Sequence, residues 1–388
     1  MIDQTGKHKV IIYGLGRTVW DMIDYIRLRF RVMGCSDSDT GKRDVADRLG
    51  LPFISPDDLT GEEYDYILIT SVYDNEISRQ LIDRGIEEEK VLKRKQWDSM
   101  VFSHCYGEKN PDKTFYILSH PIHLRDGLFS FLFAFLEQMD YVEKNRYIPI
   151  VDMQSFWNQY LDEDKIGVEN VWEYYYQPLS EYSLEEVYES RNVILGYDDN
   201  CYKGNYEQKY DIKRMSELYQ KYIRYNPKVI SLIQEEYRKR IDPDSKTLGV
   251  LFRGSDMSAL KLKNHPIQPT VDEMIALIHQ YMSEWGCQRI FLSTEDAVAV
   301  DRFKKEFGDI LSCTDQKRFG DTKETWLANI NFDRQNDRYL KGLEYLITIE
   351  LLSRCDSLLA GICTGSICAQ IMNNGKYRHL KMVDKGEY

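Results

Sequence analysis

The sequence predicts an α/β protein of Rossmann-type domains, a small one at the N-terminus followed by a pair. Three stretches carry that expectation. Lys9–Tyr13 is an apolar run that breaks into Gly14-Leu15-Gly16 and then a helical pattern, the order of strand, glycine turn and helix. Leu248–Phe252 is a short uncharged run, the pattern of a strand buried on both faces, and it breaks abruptly into Arg253-Gly254-Ser255-Asp256. Asp356–Gly361 reads as a further strand, after which Thr364-Gly365-Ser366 turns into a helix over Ile367–Met372.

Taken in order, residues 1–105 form the small Rossmann-like domain. Its second strand, Phe30–Cys35, ends in Ser36-Asp37-Ser38-Asp39, where an acidic residue would reach a ribose hydroxyl, and Tyr64–Ser71 is its third strand. Gly14 and Gly16 match the first two glycines of a dinucleotide fingerprint, but the sixth position is Val19 instead of Gly or Ala. That departure speaks against NAD and favours a packing or assembly module. The Asp37-Ser38-Asp39 triplet mimics a metal-binding pattern that is common by chance, and no metal is expected. The charged, proline-bearing stretch from Glu87 to Lys113 reads as a linker.

Residues 113–240 form the next domain. Thr114–Leu118 is its first strand, and Arg125-Asp126-Gly127 opens an amphipathic helix running to about Asn145. Gly127 lets a ligand or backbone approach, and the amides of the helix start can hold an anion. Tyr147–Asp152 is the next strand; Asp152 suits capping or core packing better than catalysis. Glu169–Gln177 concentrates Trp172, Tyr174, Tyr175 and Tyr176 around Glu173, a hydrophobic face or else a sugar platform. Asp199–Tyr206 is a polar loop on the acceptor side, and Asp211–Arg240 is helical with an interruption at Asn226-Pro227.

Residues 245–388 form the last domain. In an open parallel sheet ligands bind beyond the carboxyl ends of the strands, so Arg253 stands at the expected crevice, where its planar fork suits phosphate; an Arg–Asp pair closing a surface turn is the alternative. A basic loop, Lys261 to His265, follows. Strand Arg289–Ser293 ends in Thr294-Glu295-Asp296, which puts polar atoms at the same edge or caps the next helix. In the apolar helix Leu343–Arg354, Glu350 falls within the stripe of Leu343, Leu346, Ile347 and Leu351. A carboxylate there needs a partner, either a ribose or guanine edge or a structural arginine such as Arg354. The Thr364-Gly365-Ser366 turn offers free amides, two hydroxyls and the positive end of a helix dipole, the features of an anion site.

Composition bounds the function classes. The chain has 388 residues, 43% hydrophobic and 29% charged, enough for two or three ordinary soluble domains. A net charge of −12 argues against nucleic acid as the main partner. The eight cysteines are scattered without paired CxxC spacing, which argues against a zinc ribbon and fits reduced thiols. With neither a leader nor an 18-residue apolar run, the expectation is a cytoplasmic protein, at most peripheral to a membrane.

Lys221–Pro227 (KYIRYNP), Val250–Asp256 (VLFRGSD), His265-Pro266-Ile267, Ile290–Asp296 (IFLSTED) and Leu343–Met372 occur in one order. In this the chain resembles the donor half of GDP-fucose-dependent fucosyltransferases: the α-1,6-fucosyltransferases of the core and Nod-factor types and, more distantly, the protein O-fucosyltransferases. The resemblance implies a GT-B-like pair of domains behind the extra N-terminal one. It also implies a bacterial, inverting, metal-independent glycosyltransferase that uses GDP-fucose without a bound cofactor. Arg253 and Asp256 would be catalytic, Asp256 as the base ahead of Asp126, Asp152 and Glu173. Gly127, His265, Thr294, Asp296, Glu350, Thr364, Gly365 and Ser366 would bind the donor. The acceptor would be a glycan or lipid-linked oligosaccharide precursor. The chain departs from the α-1,6 pattern in carrying Gly254 where a second arginine follows the first, and the Arg-Gly-Ser-Asp wording resembles the protein O-fucosyltransferases instead. The base and the linkage therefore stay open. Two other classes do too: an NAD-dependent oxidoreductase built on the N-terminal unit, and a non-catalytic sugar-binding or assembly protein.

Overall fold

Short runs rich in aliphatic and aromatic residues pair mostly into parallel sheets here, and the central strands are buried on both faces. The computed structural model describes residues 7–98, 102–119, 126–196, 210–254, 260–261, 265–320 and 327–388. They form an α/β protein with three separate sheets. The first contains β1 (Lys9–Tyr13), β2 (Arg31–Ser36), β3 (Tyr66–Ile69) and β4 (Val91–Leu92), in the order β2-β1-β3-β4, all parallel. Val10 and Ile12 of β1 join one core cluster and Ile11 and Tyr13 the other, so the period of a strand feeds two hydrophobic layers.

The second sheet contains β5 (Phe102–His104), β6 (Phe115–Leu118), β7 (Ile148–Val151) and β8 (Val193–Leu195) in the order β5-β8-β6-β7. β6 is parallel to both neighbours, and β5 runs antiparallel at the edge. The third contains β9 (Thr247–Leu251), β10 (Arg289–Ser293), β11 (Leu311–Ser312), β12 (Ser357–Gly361) and β13 (His379–Val383) in the order β11-β10-β9-β12-β13, all parallel. Leu248 and Val250 of β9 share a core with Ile290, Leu292 and Leu359, and with Met274, Ile278 and Phe303 from helices Val271–Trp285 and Ala297–Phe307. On the other face of β9, Gly249 packs so closely against Leu352 and Cys355 that an added Cβ would lie 2.9 Å from Leu352 Cδ1.

The chain divides into two compact units. One comprises Met1–Leu124, Tyr141–Trp157 and Ser180–Asn200 and holds the first two sheets; the other comprises Arg125–Asp140, Asn158–Leu179 and Cys201–Tyr388 and holds the third. The start of helix Leu128–Asn145 and the aromatic segment around Trp172 thus belong to the unit of the third sheet.

The stretch expected as a linker is structured. Within it lie β4, helix Arg94–Asp98 and β5, and Trp97 is fully buried with its indole N–H donating to Ile69 O at 3.1 Å. One large side chain anchors a short helix that charge content alone conceals. The aromatic segment resolves as packing: Trp172, Tyr175 and Tyr176 are buried, with Trp172 stacked on Tyr176 at 4.4 Å. The interruption at Asn226-Pro227 is real, because Asn226 caps helix Pro227–Arg240 through the Lys228 amide, with Pro227 in its first turn.

Candidate functional site

Strand β9 delivers Phe252, Arg253 and Gly254 to the carboxyl edge of the third sheet, beside the ends of β10 and β12. Arg253 Nη1 lies 3.3 Å from Glu295 Oε1, and the same oxygen accepts the Gly254 N–H at 3.2 Å. Glu295 therefore orients both the guanidinium and the backbone that carries it. It stands between Thr294 and Asp296 in sequence, and the alternation of an extended segment turns its side chain away from theirs. That alternation was the available signal for a residue that sequence reasoning passed over.

Its two neighbours are structural in their contacts. Thr294 is buried; its hydroxyl accepts the Asp296 N–H, and its carbonyl is held by Gln316 and Arg318. Asp296 caps helix Ala297–Phe307 through the Val298 and Ala299 amides at 2.8 and 2.9 Å. Gly254 is needed beside it, since an added Cβ would stand 2.6 Å from Asp296 Oδ2.

From β12 the chain passes through Ile362 and Cys363 into helix Thr364–Asn373, so Thr364, Gly365 and Ser366 are the first turn of that helix. First-turn amides have no partner within a helix and carry the positive end of its dipole. The Ser366 hydroxyl is fully buried and engaged within the turn: it accepts the Cys363 N–H at 3.0 Å and faces the carbonyls of Gly361 and Cys363, both at 2.8 Å. What Ser366 offers a ligand is backbone. Thr364 stays partly exposed.

A second helix start meets the first. Gly127 precedes helix Leu128–Asn145, whose Leu128 N–H donates to the buried Tyr160 hydroxyl at 2.7 Å. Ser130 Oγ, one residue into the next position of that turn, lies 3.4 Å from Thr364 Oγ1. Tyr345, from helix Asp337–Ser353, bridges the two starts. Its ring packs edge-on against Phe129 at 5.1 Å, its Cε1 would lie 4.0 Å from a Cβ on Gly127, and its hydroxyl occupies the space a Cβ on Gly365 would need. Arg253 acts electrostatically on both Tyr160 and Tyr345, and Asp126 on Tyr160 and His265. Arg253, Gly127, Thr364 and Gly365 are thus brought together, with Asp126 nearby.

His265 sits on a loop pinned from two sides. Its carbonyl accepts the Tyr388 N–H, Ile267 N–H donates to Gly386 O at 2.8 Å, and Gln268 Nε2 donates to Ile362 O at 2.7 Å. Burial lowers the pKa of its imidazole, with the Asp126 and Glu387 carboxylates opposing. Glu350 is buried and has protein partners: Arg354 donates to Oε1 at 2.6 and 2.9 Å, and the Tyr225 hydroxyl to Oε2 at 2.7 Å. Five positions beyond Tyr345, it leaves the helix about 140° around the axis. Asp152, in the other unit, is fully buried and accepts the Gln154 and Ser155 amides and the Tyr188 hydroxyl. Glu173 is exposed. Asp256, with Ser255 and Lys263, lies outside the described residues, as does the loop Asp199–Tyr206.

The glycine turn of the first sheet is built differently. Gly14 has φ +108°, open only to glycine, and rests on Ser71 and Thr70 at the end of β3. The Leu15 N–H donates to Asp37 Oδ2 at 2.6 Å, and Asp37 also accepts the Asp39 N–H and pairs with Lys42, both at 2.9 Å. Burial raises the Asp37 pKa, but the Asp39 and Leu15 amides and Lys42 outweigh it and hold the carboxyl below its usual range. Val19 is fully buried in the core at the sixth fingerprint position.

Residues 6–92 match the family described as C2185-like, N-terminal. The match stops at the first sheet. No curated protein matches the chain. Among solved structures, NodZ α-1,6-fucosyltransferase soaked with GDP-fucose is similar at 13% identity and a TM-score of 0.41, over 71% of this chain and 100% of that one. Fucosyltransferase NodZ from Bradyrhizobium is similar at 12% identity and 0.39, over 67% and 93%. POFUT1 in complex with GDP is similar at 9% identity and 0.32, over 98% and 99%. Scores this low assign no role to any residue here. Among the described residues no group of three His, Cys, Asp or Glu is placed to hold a metal ion, and no helix is long and apolar enough to cross a membrane.

Proposed function

We propose that the chain is a glycosyltransferase whose third sheet binds a nucleoside diphosphate sugar, with the diphosphate seated between two helix starts and Arg253. The observation that carries this reading is the meeting of Ser130 and Thr364, each in the first turn of its helix, with Arg253 at the end of the strand next to β12 and acting electrostatically on Cys363, just before Thr364. Two positive dipole ends and one fixed cation converge where a β-phosphate gains charge as its sugar leaves. GDP-fucose as donor, inversion, independence from metal and a GT-B-like domain pair rest on the ordered motifs from Lys221 to Met372.

In the reaction the acceptor oxygen bonds to the anomeric carbon while the bond to the β-phosphate oxygen breaks. The electron pair leaves on the diphosphate, and the acceptor proton passes to a carboxylate. Arg253 and the amides of Thr364 and Gly365 stabilise the departing charge. Asp256 is the first choice for the base, followed by Asp126, which is partly exposed and acts on His265. The acceptor is a glycan or lipid-linked precursor hydroxyl. NAD chemistry has less support: the Leu15 amide that would meet a pyrophosphate already donates to Asp37, and a carboxylate at that point repels one.

Incubating the purified chain with GDP-fucose and candidate glycan acceptors, with magnesium or with chelator, tests the reading. We expect GDP release that is unaffected by the chelator and falls at least about 100-fold in Arg253→Ala. Equal release in wild type and Arg253→Ala would refute it. Release of UDP from UDP-sugars alone would keep the transferase and replace its donor.

A further inference from the structure

We propose that Tyr345 is a further donor-binding residue, whose hydroxyl donates a hydrogen bond to the diphosphate seated between the helix starts at Leu128 and Thr364. This rests on the reading of that place as a diphosphate seat.

Packing leaves the Tyr345 hydroxyl unexplained. Tyr345 lies in a helix whose neighbouring Leu343, Leu346, Ile347 and Ile349 are buried, yet its own side chain stays partly exposed. Its ring packs on Phe129, and a phenylalanine would do that equally well. Among the described residues the hydroxyl makes no hydrogen bond; what acts on it is burial and the charges or dipoles of Cys363, Arg253, Glu295 and Tyr160. A hydroxyl within the field of the Arg253 guanidinium, and with no acceptor among the described residues, is placed to serve something else.

Gly365 gives the second observation. Any Cβ there would overlap the Tyr345 oxygen, so the first turn of helix Thr364–Asn373 is kept bare on the side that this oxygen occupies. The hydroxyl therefore lies against Gly365, in the first turn whose amides would hold an anion, and within the field of Arg253. Burial, with Cys363 and Glu295 adding to it and Arg253 opposing, holds the Tyr345 pKa well above the usual tyrosine range. The group keeps its proton at neutral pH, which makes it a hydrogen-bond donor and rules it out as the base.

The test is calorimetric titration of wild type and Tyr345→Phe with GDP and with inorganic pyrophosphate, alongside thermal melts. A hydrogen bond to a charged oxygen is strong, so we expect both ligands to bind about tenfold more weakly to the variant. Its melting temperature should be unchanged, because no hydrogen bond to a described residue is lost. Equal affinities in the two proteins would overturn the role of Tyr345 and leave the seat intact. A melting temperature that falls together with affinity would mark the hydroxyl as structural and also overturn it. Wild type that binds neither ligand would remove the seat, and with it both proposals.

Discussion

The chain contains two strand–turn–helix crossings that look alike in sequence and differ in charge. After β1, the turn Gly14-Leu15-Gly16 meets a carboxylate, Asp37, carried in by the neighbouring strand. After β12, the turn leading to Thr364-Gly365-Ser366 meets a guanidinium, Arg253, carried in by the neighbouring strand β9. In both places the backbone turns the amides of a helix start toward the carboxyl edge of its sheet. What distinguishes a self-satisfied turn from an anion seat is the sign of the side chain that the adjacent strand delivers. Each turn also needs its glycine for a different reason: Gly14 for its positive φ, and Gly365 for the space that Tyr345 takes.

Reversing the charge at the second turn breaks the comparison most directly. Arg253→Glu would give it the character of the first, and we expect GDP binding to weaken more than about 100-fold in titration, since a like charge facing a phosphate repels where the guanidinium attracted. Gly365→Ala pushes the Tyr345 ring off the helix start. About tenfold weaker GDP binding is expected, larger than any change in stability, and a crystal structure of the variant would show the ring displaced.

At the first turn the same substitutions read out as stability. Asp37→Asn removes the charge that Leu15, Asp39 and Lys42 satisfy; urea denaturation should show a loss of about 2 kcal/mol, with GDP binding untouched. The sign with pH follows from the depressed Asp37 pKa. Its contribution is present above the unfolded value of about 3.9 and is lost as pH falls through the lower folded value. Acid unfolding of the Asn variant, followed by circular dichroism, should therefore lack part of the wild-type dependence below about pH 4. The smallest effect belongs to Ser366→Ala. Its hydroxyl serves the turn alone, so about 1 kcal/mol of stability should go and GDP affinity should stay within about twofold.

Much of the fold could be read in the residues. β9 and β12 are uncharged runs and β10 is one after its first residue, Arg289; all three end in polar turns, and their carboxyl edge is where Arg253, Thr364 and Gly365 stand. Three kinds of information were missing. Trp97 shows that a single burial can order a charged stretch, and single burials have no period. Helix Thr364–Asn373 begins three residues before its apolar pattern does, which turns the Ser366 hydroxyl inward. Tyr345 and Glu295 depend on contacts between distant segments: one reads as a member of an apolar helix, and the other sits between two residues of a capping turn. Glu350 illustrates the converse, since both a ligand and Arg354 were open to it in sequence and Arg354 with Tyr225 holds it here.

The measurement that tests the central claim most directly is titration of the full chain and its Arg253→Ala variant with GDP and with NAD. The account predicts GDP binding without added metal, lost in the variant, and no NAD binding in either protein. NAD binding without GDP binding would contradict it, because the anion seat would then lie at Gly14-Leu15-Gly16, where Asp37 now stands.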